Sequence, residues 1–520
     1  MAVDKSDFKK AIQEGYTFKS ESFVIGAALA DGEVFSDTHV KIPLKTLNRH
    51  GLIAGATGTG KTKTFQVIAE NLSGAGIAVL MMDIKGDLSG IAAKGSLTPL
   101  IEERQKILKV PYNPKSFPVE LLSLSKEKGA RLRATVSEFG PILFSKILDL
   151  NETQQSLVSL IFKFCDDKRL PLVDLKDFRK VLQFIGDDAD KEIEKNYGMI
   201  SSATVGTITR KLIELEQQGA ETFFGEISFD VQDLLRKDES GNAYISIVKL
   251  ADIQDRPKLF STFMLSLLAE VYSTFPEAGD LEKPKLIIFI DEAHLIFNEA
   301  SEALLEQFET IIKLIRSKGV GIFFCTQNPA DIPASVLGQL GLKIQHALRA
   351  FTANDRKAIK LAAQNYPETD FYDVEEVLTS LGIGEAFVTA LNERGNPTPL
   401  AATMLCTPQS RMNVLSESEI EGLISKSALA TKYNQEINRE SAFEILNEKL
   451  LEKEKYDSAE EERVEEIRTE RKEKSTLEEV INSPLTKQIG RTVFRELTRG
   501  LLGVLGISGG ARRKATRRYF

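Results

Sequence analysis

A glycine-rich stretch beginning at residue 55 has the residue types and the spacing of a phosphate-binding loop. It reads Gly-x-x-x-x-Gly-Lys-Thr and consists of Gly55, Ala56, Thr57, Gly58, Thr59, Gly60, Lys61 and Thr62. Glycines allow backbone N–H groups to approach an anion closely, because a Cβ atom would crowd it. The lysine can then reach the β- and γ-phosphates of a nucleoside triphosphate, and the threonine hydroxyl can bind Mg²⁺.

Two acids, Asp291 and Glu292, follow the apolar run in "LIIFIDEAH" and are called the acidic pair below. We expect Asp291 to hold Mg²⁺ through water and Glu292 to polarise an attacking water. Acids at this position could also cap the following helix. Because a phosphate-binding loop is present as well, we interpret the two motifs as parts of one hydrolytic site. A small-molecule kinase would have no need of Glu292.

Gln327 ends the next apolar run, in "VGIFFCTQNP". A side chain at such a strand end can sense the γ-phosphate or orient water, although an ordinary strand-end glutamine is the alternative. His294, beside the acidic pair, has no partner nearby in sequence, and we expect it to be structural.

The apolar runs that carry these residues alternate with stretches of helical periodicity. Strands this apolar cannot leave one face in water, so the alternation predicts an α/β fold with a mostly parallel sheet covered by helices on both sides. Before the phosphate-binding loop, Asp31-Gly32 lies between two β-like runs and predicts a hairpin.

Composition excludes several classes of protein. The 520 residues are 42% hydrophobic and 27% charged, as in a soluble globular protein. The first residues lack the apolar segment of a secretory signal, and no run is long enough to span a membrane. The 3 cysteines lie far apart, which fits a reducing cytoplasm, and we expect a cytoplasmic protein. With a net charge of −8, nucleic acid could be bound only by local basic surface.

The order of the motifs resembles that of one ATPase family. The phosphate-binding loop after "NRH", then "MMDIKGD", "IIFIDEAH", "RSKGVGIFFCTQNP" and "HALRAF", resemble the HerA-like branch of the HerA/FtsK superfamily. More narrowly, the chain is similar to bacterial HerA-like ATPases, whose C-terminal part carries "SLGIGEAFVTAL" and a basic tail. The resemblance runs from about residue 20 to the C-terminus. It implies a RecA-like core, self-assembly into a hexameric ring, hydrolysis of ATP with Mg²⁺, and ATP-driven movement on double-stranded DNA.

The resemblance also implies roles for further residues. Asp83 matches an acid that HerA enzymes keep near the nucleotide. Arg49 and Arg316 match arginines that act on nucleotide at subunit boundaries, and Arg349 is a third candidate. Arginines at helix ends or in surface ion pairs are the ordinary alternative for all three.

The chain departs from the family in two respects. HerA proteins proper carry an N-terminal β-barrel that helps to dock a partner nuclease, whereas only a short β-like segment precedes Gly55. The resemblance therefore does not extend to a nuclease partner. The short DNA-reading C-terminal domain of FtsK translocases is also missing, so movement directed by DNA sequence is not implied.

We divide the chain into six segments. They are a short β-like segment (1–48), the first part of the ATPase core (49–90), a mostly helical insertion (91–240), the second part of the core (241–410), a charged helical extension (411–483), and an amphipathic helix with a basic tail (484–520). Two functions stay open: a ring that translocates or remodels double-stranded DNA, and a protein-remodelling or assembly-scaffold ATPase that does not bind DNA.

Overall fold

The computed structural model describes residues 4–463, apart from 126, 188–195, 199, 280, 298–301, 438, 453–454, 456–457 and 461–462. The chain divides into two units, residues 1–446 and 447–520. The second unit is helical where it is described, between residues 447 and 463. The charged extension beyond residue 463, and the predicted amphipathic helix and basic tail, lie outside the described residues.

One mixed sheet organises the first unit, and within the described residues it has twelve strands. They are β1 (Ser22–Ala30), β2 (Glu33–Pro43), β3 (Gly51–Ala54), β4 (Ala78–Asp83), β5 (Val119–Ser123), β6 (Ala130–Arg131), β7 (Ile245–Lys249), β8 (Leu286–Ile290), β9 (Val320–Thr326), β10 (Leu342–His346), β11 (Glu385–Thr389) and β12 (Ala401–Leu405). Their order across the sheet is β2-β1-β12-β11-β10-β3-β9-β8-β4-β7-β5-β6.

Helices precede, connect and follow these strands. Those with bounds in the described residues include α1 (Lys5–Gly15), α2 (Lys61–Gly74), α3 (Pro99–Leu108), α4 (Val136–Ile147), α5 (Glu152–Lys168), α6 (Leu175–Asp187), α7 (Ser202–Gln217), α8 (Pro257–Thr274), α9 (His294–Phe297), α10 (Glu302–Ile315), α11 (Ala334–Leu337), α12 (Ala353–Ala363), α13 (Val374–Ser380), α14 (Glu417–Ile424) and α15 (Ala428–Tyr433). Short 3₁₀ turns, among them Leu44–Arg49 and Arg316–Lys318, lie between them.

The centre of the sheet is parallel and one side of it is antiparallel. From β10 through β3, β9, β8, β4, β7 and β5 to β6, neighbouring strands run in the same direction. Beyond β10 the direction alternates, since β11, β12, β1 and β2 pair antiparallel. The predicted α/β fold with a mostly parallel sheet flanked by helices is confirmed.

Both faces of the parallel strands are buried. In β4, Val79 and Met81 pack into the core on one face, whereas Leu80 and Met82 pack into the core on the other. The first core also holds side chains of α1 and α2, and the second holds those of α4–α8 and α10. A strand that is covered on both faces has apolar residues at every position, and these continuous apolar runs allowed the strands to be predicted from the sequence.

The N-terminal segment extends this sheet. The predicted hairpin is present: β1 and β2 are joined at Asp31 and Gly32, whose φ angles of 47° and 75° suit a tight turn. Helix α1, which the sequence analysis did not predict, is fastened by Tyr16. The Tyr16 hydroxyl lies 2.7 Å from the Val388 carbonyl oxygen and 2.8 Å from that of Pro399.

Residues 91–240 are mostly helical, but they also supply β5 and β6, which the sequence analysis did not predict. A short apolar run such as "VELLS" does not distinguish a buried strand from part of a helix. No helix in the described part of the chain has both the length and the hydropathy needed to cross a bilayer.

We expect Gly26→Val to separate the N-terminal hairpin from the sheet. A Cβ at Gly26 would lie 2.2 Å from the backbone oxygen of Met404 in β12, so the strands cannot keep their spacing. The substitution should cost about 1–3 kcal/mol and make residues 1–48 more sensitive to limited proteolysis. Gly32→Asn is the control, because nothing lies within 4 Å of that Cβ position and Asn tolerates positive φ. Equal melting temperatures for the two variants would contradict the packing described here.

Candidate active site

Four neighbouring strands carry most of the predicted site residues at one edge of the sheet. The phosphate-binding loop follows β3, Gln327 follows β9, the acidic pair follows β8, and Asp83 ends β4. These strands lie side by side in the order β3-β9-β8-β4 and run parallel, so their carboxyl ends meet. Parallel α/β sheets bind ligands at this edge.

The first residues of the phosphate-binding loop are hydrogen-bonded to neighbouring segments, whereas later residues keep free backbone N–H groups. The Gly55 N–H donates to the Thr326 carbonyl (3.2 Å), and the Ala56 N–H donates to that of Ala347 (2.8 Å). Within the described residues, the backbone N–H groups of residues 58–62 have no acceptor. Because α2 begins in this stretch, the loop combines free N–H groups with a helix N-terminus, an arrangement that binds phosphate.

A buried histidine that the sequence analysis missed lies against this loop. A Cβ on Gly55 would lie 2.5 Å from the Cβ of His346, so this position requires glycine. His346 is fully buried, and its Nε2 lies 2.9 Å from the Thr64 hydroxyl. Burial lowers the pKa of His346 to about 3, which keeps the ring neutral beside Lys61.

Lys61 rests on the loop itself. Its Nζ donates to the carbonyl oxygens of Gly55 (2.5 Å) and Ala56 (3.1 Å), and burial lowers its pKa. The ammonium must leave these carbonyls to reach a phosphate.

The acidic pair is almost fully buried, with Asp291 6% and Glu292 7% exposed. An Asp291 carboxylate oxygen accepts the Glu292 N–H at 3.0 Å, and Glu292 has a φ of +45°. The next residue, Ala293, donates its N–H to the Cys325 carbonyl at 2.8 Å, which fixes the turn to β9. Burial raises the pKa of Asp291.

Glu292 has two basic neighbours. The Lys85 Nζ lies 2.6 Å from Glu292 Oε1, and the His294 Nδ1 lies 3.3 Å from Oε2. Burial alone would raise the pKa of Glu292, but the hydrogen bond and charge of Lys85 outweigh it and lower the pKa. Lys85 was not predicted from the sequence, although its position just after a strand-end acid was a usable signal. His294, expected to be structural, lies at the acidic pair.

The Asp83 carboxylate stabilises the turn that carries Lys85 by hydrogen bonds. It accepts the backbone N–H groups of Gly86 (2.8 Å), Asp87 (3.1 Å) and Leu88 (3.2 Å). Burial raises its pKa to about 6. Asp83 therefore acts on the site through the turn.

Gln327 and Arg349 also lie at this edge. The exposed Gln327 side chain accepts a long hydrogen bond from the Thr57 hydroxyl, at 3.5 Å. Arg349 follows β10 three residues after its last residue, His346, and donates to the Thr379 carbonyl at 3.3 Å.

Arg49 and Arg316 lie at the opposite edge, before β3 and β9 respectively, where they line one cleft. Within the described residues neither guanidinium has an ion-pair partner within 4 Å. Lysines lining the same cleft are paired: Lys45 lies 2.8 Å from Glu282, and Lys313 lies 3.9 Å from Glu309. Burial, and then the charge of Arg49, lower the pKa of Arg316. The structure thus brings these two arginines together and away from the phosphate-binding loop of the same chain.

We expect Gly55→Ala to weaken nucleotide binding far more than Gly58→Ala. The first Cβ would lie 2.5 Å from the His346 Cβ and would displace the loop, whereas the second would meet nothing within 4 Å. Both positions have positive φ, so each substitution also strains the backbone, but Gly55, with φ 150°, lies farther from the left-handed region than Gly58, with φ 78°, and Gly58→Ala controls for only part of that strain. Calorimetric titration with a non-hydrolysable ATP analogue measures the difference. Similar losses in both variants would show that strain, and not the contact with His346, restricts residue 55 to glycine.

Comparison with known proteins supports the fold and places the chain in a family. The family model for helicase HerA-like C-terminal proteins matches residues 30–513. The DNA double-strand break repair helicase HerA of Sulfurisphaera tokodaii is 26% identical over 365 residues, covering 68% of this chain and 64% of that protein. The protein of the same name from Sulfolobus acidocaldarius is 20% identical over 375 residues, with the same coverage. The chain therefore spans less than two thirds of the length of these relatives.

A solved structure shows a similar fold. The bacterial conjugative coupling protein TrwB, in an unbound form lacking its N-terminal part, has a TM-score of 0.50 and 13% identity, with 78% of this chain and 95% of that chain covered. Identity this low supports the fold alone. Since the family model covers most of its length, the chain belongs to the helicase HerA-like C-terminal family and carries the P-loop ATPase core of that family.

Proposed function

We propose that this chain is an ATP-hydrolysing motor that assembles into a ring and translocates or remodels double-stranded DNA. The observation that carries the proposal is the shared edge at which free N–H groups, Lys61 and the acidic pair converge. The names of the relatives, DNA double-strand break repair helicases, favour DNA as the substrate.

The residues at this edge fit ATP and Mg²⁺. The N–H groups of residues 58–62 cradle the phosphates, and Lys61 exchanges its two carbonyl partners for phosphate oxygens. The Thr62 hydroxyl and the Asp291 carboxylate are oxygen ligands of the kind that Mg²⁺ prefers. When bound, Mg²⁺ neutralises charge on the phosphates. Glu292 accepts a proton from the attacking water, and Gln327 orients that water beside the loop.

Arg49 and Arg316, which have no ion-pair partner in the part of the chain that the structure describes, favour a ring. Strand β3 spans four residues, or about 13 Å, between Arg49 and the phosphate-binding loop. An arginine side chain cannot cover this distance, so neither Arg49 nor Arg316 reaches the nucleotide of its own chain. In a head-to-tail ring, the edge that carries these arginines faces the nucleotide edge of the next subunit. We propose that they complete the neighbouring site, whereas Arg349 follows β10 at the nucleotide edge and is not part of this pair.

We expect two inactive variants to restore activity when mixed. Glu292→Gln subunits keep their arginines, and subunits with Arg49→Ala and Arg316→Ala keep their Glu292. After random reassembly about one quarter of the sites should combine a native Glu292 with native arginines, because each half is present with a chance of about one half. Phosphate release by the mixture, compared with each variant alone, measures this. A mixture no more active than its components would exclude sites shared between subunits.

We expect duplex DNA to accelerate ATP hydrolysis in a strongly salt-dependent and sequence-independent manner. With a net charge of −8, the chain must hold DNA by local basic groups. Affinity should fall with a log–log slope of roughly −0.9 for each phosphate neutralised. Polyglutamate at equal charge is the control for a general polyanion effect, and deletion of residues 512–520 tests the basic tail. If no duplex binds at low salt in the presence of a non-hydrolysable ATP analogue, the protein-remodelling alternative replaces the motor on DNA.

A further inference from the structure

Lys85 lies where the acidic pair meets the phosphate-binding loop. Its ammonium is 2.6 Å from Glu292 Oε1. Its charge also acts on Asp291 and lowers the pKa of Lys61 after the larger effect of burial. Lys85 is therefore within electrostatic reach of every charged group that the proposed function assigns to Mg²⁺ and ATP.

The charges at this edge show what Lys85 does without nucleotide. Lys61 has its ammonium on two carbonyl oxygens of its own loop, so it is not the partner of the acidic pair. Asp291 and Glu292 are nevertheless buried side by side. Buried carboxylates are costly unless a positive charge compensates them, and Lys85 supplies that charge.

In this arrangement Glu292 cannot act on water. Its Oε1 is bound to Lys85. Its Oε2 is buried and, among the described residues, accepts no hydrogen bond, although the His294 ring lies 3.3 Å away. For Oε1 to accept a proton from water, the contact with Lys85 has to open, and for Oε2 to do so the buried carboxylate has to become accessible.

The Lys85 side chain can change position although its backbone is held in place. The turn that carries it is fixed, because the Asp83 carboxylate holds three successive N–H groups, from Gly86 to Leu88. The Lys85 side chain is 39% exposed, in contrast to the 9% exposure of the Glu292 side chain that it binds. The ammonium can therefore change partners while the backbone stays in place.

We propose that Lys85 is a second phosphate-binding lysine, which neutralises Glu292 in the nucleotide-free site and transfers to the terminal phosphate of ATP when nucleotide binds. With a metal cation beside Asp291, the acids no longer need an ammonium, and the γ-phosphate is the more highly charged partner. The transfer frees Glu292 for water. ADP lacks this phosphate, so with ADP bound Lys85 stays on Glu292. The inference rests on the proposed function, because it concerns the same nucleotide site.

The experiment measures dissociation constants for a non-hydrolysable ATP analogue and for ADP, both with Mg²⁺, by calorimetry without DNA. Lys85→Met should weaken binding of the analogue about tenfold or more, the value of one charge-assisted hydrogen bond, and leave ADP within about twofold. Lys85→Arg, which keeps the charge, should recover part of the loss. The quantity that changes is thus the ratio of the dissociation constant for ADP to that for the ATP analogue.

Lys249→Met is the matched control. Lys249 ends the neighbouring strand β7, opposite Asp83, and its ammonium pairs with Glu127 instead of the acidic pair. We expect this variant to bind both nucleotides as the native chain does.

Each remaining outcome contradicts one part of the argument. Equal weakening of the analogue and ADP by Lys85→Met would show that Lys85 only supports the site. Unchanged affinity for both would show that it never reaches the phosphate. In either case the nucleotide site of the proposed function would stand. If the folded native chain bound neither nucleotide, the proposed function would fail, and the role of Lys85 with it.

Discussion

Because β3, β9, β8 and β4 pair in parallel, whatever follows these strands lies at one edge of the sheet and whatever precedes them lies at the other. The phosphate-binding loop, Lys85, the acidic pair and Gln327 are spread over more than 270 residues of sequence, and this pairing alone brings them together. The same pairing sends Arg49 and Arg316 to the far edge. A single hydrogen-bonded arrangement thus places the phosphate-binding loop and the acidic pair at one edge and the two arginines at the other, where the proposed ring would bring them to a neighbouring site.

Charge balance at the first edge explains why the site is stable without ligand. The acidic pair lies there with the ammonium groups of Lys61 and Lys85, and each ammonium has an oxygen partner inside the protein. Under the proposed function, binding of ATP would therefore exchange existing contacts of Lys61 and Lys85 for contacts with phosphate. Such exchange couples nucleotide to conformation, because a ligand shifts an equilibrium only through interactions that differ between the two states.

The sequence predicted the features that are local and missed those that depend on distant partners. The loop at residues 55–62 and the apolar strand before Asp291 are contiguous patterns, and the α/β fold inferred from them is confirmed. Lys85 and His346 gain their meaning from Glu292 and Gly55, which lie more than 200 residues away in sequence. Helix α1 buries only Phe8 and Ile12 and so has a sparse apolar pattern, and β5 is a short apolar run that periodicity cannot distinguish from part of a helix. The roles assigned to the site residues stay predictions, although the geometry now separates Arg49 and Arg316 from Arg349.

The pairing of β1 with β12 bears on how this ATPase could be shortened. A cut at residue 48, before the phosphate-binding loop, would keep every residue of the nucleotide edge but would remove β1 and β2. Strand β12, now covered by β1 at Gly26, Ala27 and Ala28, would become an open edge with unpaired N–H and C=O groups. Open edges of this kind recruit strands from other molecules. We therefore expect the N-terminal hairpin to protect the chain against aggregation, a role distinct from catalysis.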